Sequence, residues 1–102
     1  MSTATLPTVR HRADDLAQLG YTLLAQAHSP QHPLAPLRRI RVFAYKMFHD
    51  GIEEYRPLDT FSWTGSTIDQ ALAAHGYTRA GTWHTAPADP LTRRAPLART
   101  AP

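Results

Sequence analysis

The sequence predicts a small α+β domain, and three features of the chain lead to that prediction. Its 102 residues are enough for one hydrophobic core and therefore for one domain. Two segments in its first half space their apolar residues as helices do, and a later segment combines a capped helix with short aromatic runs. We expect two N-terminal helices, then a strand, a short helix and a second strand, all within residues 13–85.

The first predicted helix covers residues 14–28. Its apolar residues recur at intervals of three and four, and they are Leu16, Leu19, Leu23 and Ala27. Asp14 and Asp15 stand at its beginning, where the positive end of the helix dipole favours acidic side chains. The segment HSPQHP that follows ends the helix, because a proline ring fits poorly in a helix interior.

The segment 37–48 has two interpretations, and the choice between them decides the fold. As a strand it is rich in Ile, Val, Phe and Tyr, and the Asp50-Gly51 pair after it is a typical hairpin turn. As a helix it gathers its apolar residues on one face, whereas strand alternation mixes apolar and charged residues on both faces. The apolar set is Leu37, Ile40, Phe43, Ala44, Met47 and Phe48, with Val42 outside it. A helix is therefore our prediction, and a hairpin-centred sheet is the alternative.

Residues 52–85 contain the predicted strands and the short helix. IEEYRPLD is predicted as a connector or a short edge strand, and TFSW as a short strand. Thr67 and Gln70 have the spacing of a capping box, so a helix should begin there and end at Gly76. YTRAGTWHT then follows as a strand that contains Trp83.

The stretch from Ser66 to Thr85 also has the outline of a helix-turn-helix motif, which would place a second helix in a DNA groove. Three residues argue against that motif. Leu72 stands where a small residue is expected, His75 stands where an apolar one is expected, and Gly81 would weaken the second helix by about 1 kcal/mol. We therefore interpret the stretch as scaffold.

The positive charge of the chain lies mainly at its two ends. The formal net charge is +3, but residues 14–85 hold six basic and seven acidic side chains. Residues 1–12 and 86–102 carry the excess of arginine, together with Pro, Ala and Thr in no regular spacing. We expect both ends to be disordered arms, because neither has the apolar groups that offset the entropy of ordering.

Composition disfavours several classes of protein. The chain has no cysteine, so it has no disulfide and no thiolate metal site. It has no apolar run of the ~18 residues that a membrane span needs, and its N-terminus lacks the core of a signal peptide, so we expect a cytoplasmic location. Arginine outnumbers lysine ten to one, which is typical of a GC-rich bacterial genome or one of its phages.

We expect neither catalysis nor a bound metal or cofactor. The six histidines lack the spacing of a metal-binding motif. The segment HDGIEEY brings acid–base side chains together, but no paired nucleophile and no glycine-rich phosphate loop accompany them. An acidic loop in solvent is the simpler interpretation.

The polar face of the second predicted helix carries most of the basic residues of the domain, and it is the predicted binding site. It consists of Arg38, Arg39, Arg41, Tyr45, Lys46 and His49. Arginine forks suit phosphates and carboxylates, so this face and the basic arms predict a non-enzymatic protein that binds nucleic acid or a nucleoprotein complex. The alternative is an inhibitor or adaptor of phage or plasmid type that occludes a host protein surface, for example in a defence complex.

Overall fold

The fold is an antiparallel sheet with two short helices on one side. The computed structural model describes residues 9–100, and six strands lie within that range. In chain order the elements are α1 (Val9–Gln18), β1 (Thr22–His28), a 3-10 helix (Ala35–Leu37), β2 (Arg39–Met47), β3 (Glu53–Ser62), α2 (Ile68–Ala74), β4 (Tyr77–Arg79), β5 (His84–Ala86) and β6 (Asp89–Arg99). The strand order is β3-β2-β1-β6-β4, and β5 pairs with β6 along the same edge as β4.

The predicted α+β arrangement with two N-terminal helices is wrong, and the first error lies within residues 14–28. The segment is helical only in its first part, where it belongs to α1, and its second part is β1. Gly20 has a φ of +91° and closes α1 in a Schellman arrangement, in which the amide of Tyr21 donates to the carbonyl of Leu16. The chain then enters the sheet, and Leu19 is left 64% exposed.

The second error concerns residues 37–48, which contain β2 and not a helix. β2 pairs with β1 on one side and with β3 on the other. Its residues Ile40, Val42 and Ala44 are buried and point to the same side of the sheet. Val42, which does not fit the helical pattern, is therefore a core residue. The helical pattern is deceptive because Phe43, on the opposite side of the strand, is also buried.

The third error concerns the predicted disordered arm at 86–102, because most of it is β6. This strand lies between β1 and the short strands β4 and β5, and it buries Ala95 and Leu97. Pairing on both sides offsets the entropy cost of ordering this segment. The folded domain therefore extends to Arg99. Of the predicted N-terminal arm, residues 1–8 lie outside the described range, and the rest is the beginning of α1.

The expectations for the short helix are confirmed. The hydroxyl of Thr67 accepts from the amide of Gln70, and the side chain of Gln70 accepts from the amide of Thr67, so the capping box is complete. After α2 the chain forms β4 and not the second helix of a helix-turn-helix. The prediction of one strand over YTRAGTWHT is wrong, because β4 ends at Arg79 and Trp83 lies in the connection to β5. A Cβ at Gly81 would come within 2.9 Å of Pro96 Cγ, because the β4–β5 connection packs closely on β6.

The helices divide the sheet into two different faces. On one face, which we call the helix-covered face, both helices pack on the strands. Its core cluster contains Ala13 and Leu16 of α1, Ala71 and Leu72 of α2, and Leu23, Ala25, Ile40, Val42, Ala44, Leu58, Tyr77 and Leu97. Neither helix within residues 9–100 has the length and apolar character that crossing a membrane requires.

The opposite side of the sheet, which we call the open face, is formed by the alternate residues of the same strands. The register assigns to it Leu24, Gln26 and His28 of β1, Arg39, Arg41, Phe43, Tyr45 and Met47 of β2, Glu53, Tyr55, Pro57 and Thr60 of β3, and Arg94 and Pro96 of β6. This face combines basic, aromatic and amide side chains, and it is the candidate functional site.

Candidate functional site

The register brings three arginines together on the open face. Arg39 and Arg41 lie on β2, Arg94 lies on β6, and Gln26 of β1 pairs with both Arg41 and Arg94. Because neighbouring strands are about 4.8 Å apart, the backbones of Arg41 and Arg94 are separated by about 9.6 Å. The Nε of Arg94 donates to Oε1 of Gln26 at 3.0 Å, which fixes one of the three guanidinium groups.

The charges of these arginines are not neutralised within the described part of the chain. Across residues 9–100, the exposed side chains of Arg39 and Arg41 have neither an ion pair nor a hydrogen bond. The partner of Arg94 is a neutral amide, so its charge is not compensated either. Three like charges on one surface repel each other mildly, and an anionic ligand would relieve that repulsion.

Arginines on the helix-covered face are in a different situation. Three of them have acidic partners, in the pairs Arg56–Glu54, Arg79–Asp69 and Arg99–Asp14. Two others lie over tryptophan rings, Arg38 over Trp63 at 4.9 Å and Arg93 over Trp83 at 5.1 Å. The hydrogen bond from Arg79 lowers the pKa of Asp69, as expected for a carboxylate held by a guanidinium.

Three aromatic rings continue the open face beside the arginines, and we call Phe43, Tyr45 and Tyr55 the aromatic platform. The ring centroid of Tyr55 lies 5.7 Å from that of Phe43 and 5.1 Å from that of Tyr45. The guanidinium of Arg94 lies 5.4 Å from the centroid of Phe43. Phe43 is 9% exposed, whereas Tyr55 is 47% exposed. Phe43 therefore supports the platform, and Tyr55 presents its ring to solvent.

A shallow depression of about 180 Å³ lies where the arginines meet the platform. It is lined by Gln26, Arg41, Val42, Phe43, Tyr55, Pro57, Asp59, Thr60 and Arg94. Asp59 forms no ion pair with either arginine: its Oδ1 accepts from the amide of Thr60 at 2.8 Å, and its Oδ2 lies 3.3 Å from Nδ1 of His75. The depression therefore joins two guanidinium groups to two aromatic rings.

A single carboxylate stands at the far end of the platform. The hydroxyl of Tyr45 donates to Oε1 of Glu53 at 3.1 Å, and the hydroxyl of Tyr55 donates to Oε2 at 3.2 Å. Desolvation of the phenol, together with its hydrogen bond to Glu53, raises the pKa of Tyr45, so this hydroxyl stays protonated at neutral pH. Glu53 thus fixes the orientation of two rings through their polar ends.

The other end of the open face carries two histidines next to Arg39. The rings of His28 and His32 are stacked with their centroids 4.0 Å apart, and the amide of Leu34 donates to Nδ1 of His32 at 2.9 Å. Desolvation lowers the pKa of His28, and repulsion by His32 and Arg39 lowers it further, so His28 is neutral at pH 7. Among residues 12–100, whose side chains the structure describes, no group of three potential metal ligands occurs.

The structure separates the residues that the sequence grouped into one binding site. Arg39, Arg41 and Tyr45 lie on the open face. Arg38 and Lys46 do not: Arg38 stacks on Trp63, and Lys46 Nζ donates to the carbonyl of Leu19 at 2.8 Å. His49 is exposed in the β2–β3 turn. Alternation along β2 separates Lys46 from Arg39, Arg41 and Tyr45. Arg38 and His49 lie outside the strand, Arg38 just before it in a left-handed conformation with a φ of +48° and His49 after it.

Four residues of the site were missed by sequence reasoning: Gln26, Phe43, Tyr55 and Arg94. The sequence places Phe43 on the apolar face of a helix, and Phe43 is indeed buried, but beneath the open face of a sheet. It places Arg94 in a disordered arm, whereas Arg94 lies in β6. The alternation of Arg39, Arg41, Phe43 and Tyr45 along β2 was the available signal. Gln26 and Arg94 come from strands that were not predicted, so only the register reveals them.

The open face can hold anionic groups at its arginines and flat rings at its platform. Guanidinium groups bind phosphates through paired N–H donors, and aromatic side chains stack on nucleobases. Comparisons of the chain with protein-family models, with curated proteins and with solved structures found no match.

Proposed function

We propose that this protein is a non-enzymatic binding protein that takes single-stranded nucleic acid on the open face of its sheet. The observation that carries the proposal is the juxtaposition of the uncompensated Arg39, Arg41 and Arg94 with the exposed ring of Tyr55. Arginines of the same sheet that face the helices have acidic partners, so the arginines available to a ligand are those of the open face. A cytoplasmic location remains part of this proposal.

The arginines are suited to a backbone of repeating phosphates. Arg39 and Arg41 are two residues apart on β2, so their backbones are about 6.8 Å apart along the strand. Arg94 extends the basic area across β1 to β6. A ligand with several phosphates can contact more than one guanidinium at once, whereas a single carboxylate cannot.

The platform favours a single strand over a duplex. Unpaired bases can turn outward and stack on aromatic rings, whereas the bases of a duplex are already stacked on each other. Proteins that read a duplex usually insert a helix or a ribbon into a groove. Here α1 and α2 pack on the helix-covered face, so the open face presents strands with aromatic rings and no helix of the α type for a groove.

A protein partner is the second candidate, and the exposed apolar residues near the β2–β3 turn favour it. Met47 is 57% exposed and Ile52 is 61% exposed, close to the exposed Tyr55. Methionine, tyrosine and arginine are enriched in protein interfaces. An inhibitor or adaptor that occludes a host protein would use this surface, and its binding would depend much less on salt.

Fluorescence anisotropy with a labelled oligothymidine of about 12 nucleotides tests the first candidate. We expect the wild type to bind this strand more tightly than a duplex of the same length, with affinity that falls steeply as salt rises. Tyr55→Ala should weaken binding roughly tenfold or more, because stacking contributes about 1–3 kcal/mol per base. Tyr55→Phe is the matched control, since it keeps the ring, and it should bind nearly as the wild type does. Preference for the duplex, or equal affinity of all three proteins, would contradict the proposal.

A further inference from the structure

Resting on the proposed function, we infer that Glu53 makes the open face selective for guanine at the position stacked on Tyr55. The chemical feature that guanine offers is a pair of adjacent N–H donors on its Watson–Crick edge, N1–H and the N2 amino group. A carboxylate with two oxygens matches that pair.

Glu53 places a negative charge on the open face, where the other charged strand residues are arginines. Among the strand residues within 9–100, Glu53 is the one carboxylate that the register assigns to the open face. It has no basic partner within that range; its polar contacts there are the two tyrosine hydroxyls. A negative charge beside arginines weakens attraction for phosphates, so a purely electrostatic surface gains nothing from it.

The position of Glu53 fits recognition of a base edge. Its two hydrogen bonds hold the carboxylate next to the polar ends of both the Tyr45 and the Tyr55 rings. A base that stacks on Tyr55 therefore brings one edge close to this carboxylate. Each carboxylate oxygen accepts only one hydrogen bond from the tyrosines, and each has a second lone pair for a donor on the base.

The other bases are poorer matches for a carboxylate. Adenine and cytosine each present one amino group next to a ring nitrogen that is an acceptor, and that nitrogen repels the second oxygen. Thymine and uracil present one N–H between two carbonyls. A matched pair of hydrogen bonds to a base edge discriminates by about tenfold or more.

The test uses hexamers of thymidine in which one central residue is guanine, hypoxanthine, adenine, cytosine or thymine, with binding measured by competition anisotropy. The wild type should bind the guanine hexamer about tenfold more tightly than the thymine hexamer. Hypoxanthine lacks only the N2 amino group, so its hexamer should lie between them. This chemical change leaves the protein untouched, and folding cannot affect its result.

The variant Glu53→Gln supplies the second arm, with circular dichroism to confirm that it is folded. It should lose most of the preference for guanine, so that the ratio of its affinities for the guanine and thymine hexamers falls from about ten toward one. An equal loss of affinity for all hexamers would overturn the inference, since Glu53 would then only orient the rings. Binding of every hexamer with one affinity by the wild type would overturn it as well. Failure to bind any hexamer would instead overturn the proposed function and this inference together.

Discussion

The two faces of the sheet are built from the same strands, but their charges are arranged differently. On β2, Ile40 and Val42 enter the core, whereas Arg39 and Arg41 point to the open face. Burial of an aliphatic side chain such as Ile40 stabilises the fold by about 1.5–3 kcal/mol, whereas an exposed arginine without a partner adds almost nothing. Because side chains alternate along β2, the residues that stabilise the fold lie on one face and the residues that are available to a ligand lie on the other.

The pairing of the charged groups repeats this separation. On the helix-covered face, Arg99 donates to both Asp14 and the carbonyl of Gly76, and so ties β6 to α1 and to the end of α2. Its charge is used within the protein. On the open face, Arg41 has neither an ion pair nor a side-chain hydrogen bond within residues 9–100. Substitutions on the helix-covered face should therefore change the free energy of unfolding, whereas those on the open face should change the affinity for a ligand. The more clearly these two effects separate, the more independent the faces are.

The largest expected effect is the loss of the fold when a charge enters the core. Ile40→Asp places a carboxylate at a fully buried position without a partner, and we expect a loss of more than about 4 kcal/mol in the free energy of unfolding. Arg41→Glu, one residue away on the exposed side, should change that free energy by less than about 0.5 kcal/mol. Urea unfolding followed by tryptophan fluorescence measures both. Comparable losses would show that the two faces are not independent.

A smaller effect should distinguish Arg41, on the open face, from Arg38, which precedes β2 and stacks on Trp63. Each is changed to Glu, so the change in net charge is identical. Arg41→Glu should weaken binding to oligothymidine by about tenfold or more and reduce the dependence of affinity on salt, because a phosphate contact is lost. Arg38→Glu should have little effect, since Arg38 stacks on Trp63 beside the helix-covered face.

Titration of both variants at two salt concentrations gives the answer. If they lose affinity equally, net charge alone governs binding, and the open face is not the interface. If only Arg38→Glu loses affinity, the binding surface lies on the helix-covered side.

Local features of the fold were predictable, and long-range ones were not. The capping box of Thr67 and Gln70 depends on residues three apart, and it was predicted correctly. The strand β6 depends on pairing with β1, more than sixty residues earlier in the chain, and its composition suggested disorder. The segment 37–48 was ambiguous because Ile40, Ala44 and the opposite-facing Phe43 are all buried, which fits a helical period as well as a strand.

The same distinction applies to the site. Arg39, Arg41 and Tyr45 were included in the predicted site because their side-chain chemistry suggests anion binding in any secondary structure. Arg94 could not be included, because its place beside Arg41 follows only from the register of three strands. Removing residues 86–102 therefore removes a strand of the core along with Arg94, so truncation does not isolate the contribution of an arm.

The smallest expected effect concerns an ion pair near the helix-covered face, that of Asp69 with Arg79. Asp69→Asn should lower the free energy of unfolding by less than about 1 kcal/mol at neutral pH, because both side chains contact water. Hydrogen bonding by Arg79 lowers the pKa of Asp69 in the folded state below its ordinary value of 3.8. The stabilisation is therefore complete above that ordinary value and is lost as the pH falls through the lowered pKa of the folded state.

Urea unfolding of the wild type and of Asp69→Asn over a pH series tests this expectation. The difference between the two proteins should be constant near neutral pH and should shrink toward zero as the pH falls below 3.8. Affinity of Asp69→Asn for oligothymidine should equal that of the wild type at neutral pH, because Asp69 lies away from the open face. A loss of affinity as large as that of Arg41→Glu would mean that the Asp69–Arg79 pair affects binding by the arginines of the open face. The two faces would then not be independent.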